Sequence, residues 1–305
     1  MKTATRRLIA AVGLLAAAGA ARMPVEQAMT ERFREDGLLR EPVDVATQKK
    51  LGQGFFAVSL GGLRTLVATI WNLRAFGYFE GKQWVKLADT YETIVLLAPH
   101  SDYYWDTGSW HMAYNASVDY RNREHLPELR REAEWRQWVE RGTAFLEEGA
   151  RQNPDSWRLW AALGRLYVDP FKLIDYEKAA EAYHRSAETG NALPYVRRAE
   201  ALCRARIPGR EDEALPLVRE LNDGPRGKVP TLNCVRFVLE LRADPGIDRD
   251  RLAAEVFGTP ERAWRELGDF YLGSKDYPMN GVRTMLRRLE RELQIPDEQS
   301  VLRNP

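Results

Sequence analysis

The sequence predicts an all-α chain assembled from about six helix-turn-helix units in a row, and two observations carry that prediction. The first large aromatic residue of each unit recurs at a near-constant interval: Trp71 to Trp105 spans 34 residues, Trp160 to Tyr195 spans 35, and Tyr195 to Trp264 spans 69, which is two intervals with one anchor between. The missing anchor falls at Pro230, where Cys234 and Phe237, four and seven positions later, keep the phase. Two stretches also repeat one four-residue register, Trp160, Leu163, Gly164 and Tyr167, then Trp264, Leu267, Gly268 and Tyr271. Residues three, four and seven apart share one face of a helix, and a glycine on that face lets a second helix come close.

In chain order, Lys2, Arg6 and Arg7 precede an uncharged run over residues 8–21, with Ala18-Gly19-Ala20 as a small-x-small cleavage site. This reads as an export signal over residues 1–22, either cleaved or retained as an inner-membrane anchor, since the run falls short of the ~20 residues of a comfortable membrane helix. Residues 23–53 are polar and mixed, with Pro24 and Pro42 as punctuation, and are expected to form a tether or cap. Residues 55–73 carry one charge, Arg64, and fit either a membrane span or a helix with one buried face. Gly61, Gly62 and Arg64 sit at the centre, where a charge costs about 2.5–3.5 kcal/mol in a bilayer, so the buried helix is the expectation, with Leu60, Leu63, Val67, Ile70, Trp71 and Ala75 inward.

The repeated units are expected over residues 54–295. The first places Trp71, Ala75 and Tyr78 on its first helix, turns at Gly81 and stops at Pro99. The second begins at Asp102, and because Trp105 to Trp160 spans 55 residues it holds an insertion, the mixed-charge stretch 119–134, before its second helix resumes near Trp135. The third covers 157–190, with Ala179 as the small residue opposite Gly164. The fourth uses Tyr195, Ala199 and Leu202; the fifth, 230–258, keeps the phase without the signature; the sixth restores it and ends in a basic helix reaching Ile295. Residues 296–305 are left as a tail.

The order W-x-x-L-G-x-x-Y, twice complete and four times approximate, resembles the tetratricopeptide repeat. Residues 60–64 and 110–118 also look similar to blocks in exported bacterial proteins of that family. The resemblance implies a right-handed α-solenoid whose first helices line a concave groove for extended peptides or partner helices. Its groove positions fall here on Tyr103, Asp106, Trp110 and Tyr114, then Arg158, Arg165 and Asp169, then Arg197, Glu200 and Arg204, and finally Arg265 and Asp269. That is an aromatic ledge followed by an arginine track. Arginine forks suit carboxylates, so an acidic peptide or a free C-terminus is the implied partner, unless the arginines pair with local acids instead. The Lys and Asn pattern of the family's carboxylate clamp is not matched.

The 45 Lys plus Arg nearly cancel 44 Asp plus Glu, so no basic field draws nucleic acid to the chain. Cys203 and Cys234 are too few for a zinc framework or a disulfide scaffold and are expected as buried free thiols. His100, His111, His125 and His184 lack metal-ligand spacing, and no nucleophile elbow or phosphate loop is present. Neither metal nor cofactor is expected. The expectation is a noncatalytic scaffold or adaptor on the periplasmic side of a bacterial envelope. An envelope enzyme or glycan-binding protein is the alternative, using pairs such as Glu147-Glu148 or the run Glu211, Asp212 and Glu213. The tryptophans outside the repeat anchors (84, 110, 135, 138 and 157) mark the second unit as a candidate partner surface.

Overall fold

A computed structural model describes residue 32, residues 64–225 and residues 228–303. The expected export signal, the tether apart from residue 32, and residues 55–63 of the apolar run lie outside the described residues. Among the described residues every regular element is a helix, so the fold is all-α. The chain divides into two compact units, Met1–Pro127 and Glu128–Pro305.

In the first unit α1 (Arg64–Glu80) runs along α2 (Trp84–Leu97). The reversal is tight because Lys82 adopts φ 50° and the Gln83 amide returns to the Tyr78 carbonyl at 2.8 Å. Ala68 and Ala75 are the buried residues of α1, and Asn72 accepts a hydrogen bond from the Tyr91 hydroxyl at 3.1 Å. The expected inward face is only partly realised: Ile70 is exposed, and Val67 and Trp71 are half-buried. One continuous helix follows, made of α3 (Asp102–Trp110), a π-wound turn (His111–Ala116) and α4 (Ser117–Arg121). Its end is clasped to the start of α2 through Asp119, which accepts from Lys82 (2.9 Å), from the Trp84 indole (2.8 Å) and from Arg123 (2.7 Å). Burial works against that carboxylate's charge, yet the hydrogen bonds from Lys82, Trp84 and Arg123 hold its pKa down at about 2.

The second unit opens with α5 (Glu128–Gln152), a 25-residue helix. The stretch 119–134, expected as an insertion, is therefore the end of α4, a short connection over 122–127 and the first turns of α5. The extra length is helix. Four helix pairs follow: α6 (Trp157–Tyr167) with α7 (Tyr176–Glu188), α8 (Tyr195–Arg204) with α9 (Leu215–Asp223), α10 (Pro230–Ala243) with α11 (Arg249–Phe257), and α12 (Pro260–Gly273) with α13 (Val282–Glu292). Their starts are set by capping: Ser156, Asp175, Asp248 and Thr259 each accept from a backbone amide of the first turn, and Pro230 and Pro260 stand at first-turn positions where no amide donor is needed.

Gly164 does allow a close approach, but to a different residue: a Cβ there would meet the Tyr183 ring at 2.9 Å, not Ala179. In the last pair the space at Gly268 is filled by Val301, 3.2 Å from where a Cβ would sit. Residues 297–302 reach that place because Glu290 accepts from the Ser300 hydroxyl (2.9 Å) and the Val301 amide (3.0 Å).

α10 explains why the fifth unit lacks the signature. Every residue from 232 to 241 is buried, so it is a central helix without a solvent face, and an amphipathic pattern would leave polar groups inside. The polar side chains that remain form a connected network. Asn222 on α9 donates to Asn233 (2.7 Å), Asn233 donates to Glu266 on α12 (2.8 Å), and Arg262 closes on Glu266 (2.6 Å). Arg236 donates to Asn222 and Asp223 (both 2.8 Å) and reaches Glu255 on α11; Arg219 forks onto Glu240. Three arginines, two carboxamides and four carboxylates thus engage one another where a lone charge would be costly.

A second tie joins elements far apart in sequence. The Arg206 guanidinium lies 3.9 Å from the Tyr277 ring centroid and 5.2 Å from that of Tyr176, with Asp276 at 3.3 Å, and Tyr176 donates to Asp276 at 2.5 Å. The start of α7 thereby touches the turn before α13, with Arg206, just after α8, between them. In a regular solenoid each repeat meets only its neighbours, so this part of the chain departs from that rule.

Candidate functional site

The continuous helix of the first unit carries four of the expected groove residues on one side. Tyr103, Asp106 and Trp110 are exposed, Tyr103 by 58% and Trp110 by 50%, and Tyr114 is half-buried. The Trp110 and Tyr114 rings stack with centroids 4.2 Å apart and planes 17° apart, and Tyr103 meets Tyr104 edge-on at 5.3 Å. Two large rings held flat against each other at the surface have lost their rotamer freedom already, so a partner side chain can lie on them at little further entropic cost. The π-wound turn starts directly after Trp110, and such turns recur at functional positions in helices.

Behind the ledge lies His111. Its ring packs 4.8 Å from Phe79 and 5.6 Å from Tyr91, and its Nδ1 lies 3.0 Å from the Asn115 amide nitrogen. Burial lowers its pKa below 6.5, so the ring is neutral at neutral pH and acts as packing. Phe76, on α1, is exposed and lies 6.3 Å from Phe79.

The wider tryptophan surface expected around the second repeat is not formed. Trp84, Trp135 and Trp138 are buried and Trp157 is half-buried, which leaves Trp110 alone of the five at the surface. The Trp84 indole donates to Asp119 and serves the packing of α2 against the end of α4. Of the repeat anchors, Trp105 is buried and donates to the Pro99 carbonyl at 2.8 Å, while Trp71, Trp160 and Trp264 are half-buried.

In the second unit the arginine track is divided. Arg197 forks onto Glu220 at 2.7 and 2.9 Å, and Arg204 pairs with Glu200 at 2.8 Å, where Glu200 is buried and also meets His184 at 3.0 Å. These two arginines are held by local acids. Arg158, Arg165 and Arg265 are exposed, with Arg158 over the Trp157 ring at 5.3 Å. Asp169 is half-buried and accepts from the Phe171 amide at 2.8 Å, and Asp269 is exposed.

The acids considered for glycoside chemistry are each engaged by neighbours. Glu147 accepts from Tyr167, Glu148 pairs with Arg151 (2.6 Å), Glu213 with Arg210 (2.9 Å), and Glu211 and Asp212 with Arg242 (3.1 and 3.7 Å). Among the described residues no group of three His, Cys, Asp or Glu is arranged to hold a metal ion. Comparison with protein-family models, with curated proteins and with solved structures finds no match for the chain.

Proposed function

We propose that the chain is a noncatalytic interaction scaffold of the tetratricopeptide type at the bacterial cell envelope, and that the aromatic ledge of Tyr103, Trp110 and Tyr114 is its main contact with a partner protein. The observation that carries this reading is the pre-stacked Trp110–Tyr114 pair, half of whose tryptophan lies in solvent although every other tryptophan of the chain is buried or half-buried. Aromatic anchors of this kind supply much of the energy of protein interfaces. The succession of short helix pairs in both repeat register and chain order supports the solenoid reading, modified by the Arg206 tie. Arg158, Arg165 and Arg265 are the exposed positions at which acidic groups of a partner would be met. The N-terminal export pattern supports a periplasmic location, with or without an anchor.

Photo-crosslinking in cells tests the reading directly. A benzophenone side chain placed at Tyr103 or at Trp110 is expected to capture one discrete protein, whereas the same group at the exposed Glu188 is not. Identical adduct patterns at all three positions, or none at the two ledge positions, would remove the ledge from the interface.

A further inference from the structure

α1 has a second apolar face. Leu66, Ile70, Leu73 and Phe76 follow one another at spacings of four, three and three, so they form one stripe along the helix, and each is more than half exposed. Gly77 continues it, and nothing lies within 4 Å of where its Cβ would be. The other side of the helix is occupied by α2, so the stripe is not the core-facing surface. Four large aliphatic or aromatic side chains in a row are too many for scattered surface residues.

The surrounding charge indicates what covers them. Between Asp44 and Glu80 the chain carries Lys49, Lys50, Arg64 and Arg74 and not one acid, although 44 Asp and Glu are spread over the whole chain. Arg74 borders the stripe with its guanidinium 5.6 Å from the ring centroids of Trp71 and Tyr78, both half-buried. An apolar stripe with an Arg, Trp and Tyr border and no acid is the composition of a helix lying in a lipid interface. No described helix is long and apolar enough to cross a membrane. We propose that α1 lies on the surface of an anionic phospholipid bilayer, with Leu66, Ile70, Leu73 and Phe76 among the acyl chains and Arg74 at the headgroup phosphates. This is independent of the ledge and stands whether or not Trp110 contacts a protein.

The test reads α1 itself, because the apolar run over residues 8–21 binds lipid in its own right if retained. Cys203 and Cys234 are buried, so Leu73→Cys in the full chain takes an environment-sensitive fluorophore selectively, and Ile70→Cys serves as a second position. With phosphatidylglycerol vesicles the label is expected to shift to the blue, to be quenched by nitroxide lipids and to lose access to iodide. A label at Glu292→Cys, on α13, should keep its access. Replacing Arg74 with Gln should weaken the effect roughly five-fold, the weight of one cation at such a surface. Two results overturn the proposal: a Leu73→Cys label that iodide reaches equally with and without vesicles, or one already shielded before lipid is added, which would show a second copy or the chain's own residues on the stripe.

Discussion

Protonating His111 would place an N–H on the nitrogen that faces the Asn115 amide, in a ring packed between Phe79 and Tyr91. Burial is the cause of its lowered pKa, and the sign of the consequence is fixed. As pH falls below 6.5 the unfolded chain takes up a proton that the folded chain still refuses, so stability declines with falling pH until the folded pKa is passed. Hydrogen exchange of the segment 111–116, corrected for intrinsic rates, should therefore show less protection at pH 5 than at pH 7, and His111→Phe should flatten the difference. An equal decline in both proteins would assign it to other groups. In the sequence this histidine stood out only by its flanking rings. Its partners Phe79 and Tyr91 come from α1 and α2, and no local spacing announces a contact across helices. The same applies to Arg197, a groove position by register that Glu220 of α9 occupies, whereas Arg204 pairs with Glu200 one turn earlier on its own helix, a spacing the sequence does show.

Helical glycines test the elements. At Gly164 a methyl group would press on the Tyr183 ring at 2.9 Å, and that ring is itself buried; Gly164→Ala should cost about 1–3 kcal/mol. Gly77 lies in α1 with open space around it, so Gly77→Ala should be neutral or stabilise by up to about 1 kcal/mol through helix propensity alone. Denaturation midpoints of the two variants moving in the same direction would contradict this assignment of close and open helix faces. The first contrast was legible, since a glycine in W-x-x-L-G-x-x-Y register announces a close approach; which side chain fills the space was not, because Ala179 and Tyr183 both lie on the facing side of α7. The interval between anchors places α10 in the sequence, but its central position is not legible there: residues 232–241 are all buried, and a helix without a solvent face has no amphipathic period to read. The π-wound turn and the helical continuation through 119–121 were invisible for a related reason, since charged residues suit a solvated helix as well as a loop.

At the scale of the second unit, two features oppose the independence that a stack of repeats would have. The Asn222–Asn233–Glu266 network, with Arg236, binds α9, α10, α11 and α12, and Arg206 fastens the start of α7 to the turn before α13. A nearest-neighbour stack opens locally, repeat by repeat. A block cross-tied in this way should open as one. Cys203 and Cys234 report on the difference from two separate helices, α8 and α10. Burial pushes the Cys203 thiol up to about 12 and raises that of Cys234 as well, so neither is a thiolate until its helix opens. In mild denaturant both should react with an aromatic disulfide reagent at one common rate. Arg206→Ala removes the tie nearer α8 and leaves the network intact, so Cys203 should then react several-fold faster than Cys234. If the unaltered protein already shows two rates several-fold apart, the repeats open independently, and the contacts of Arg206 and Asn233 add only local stability to a stack whose cooperativity ends at each neighbour.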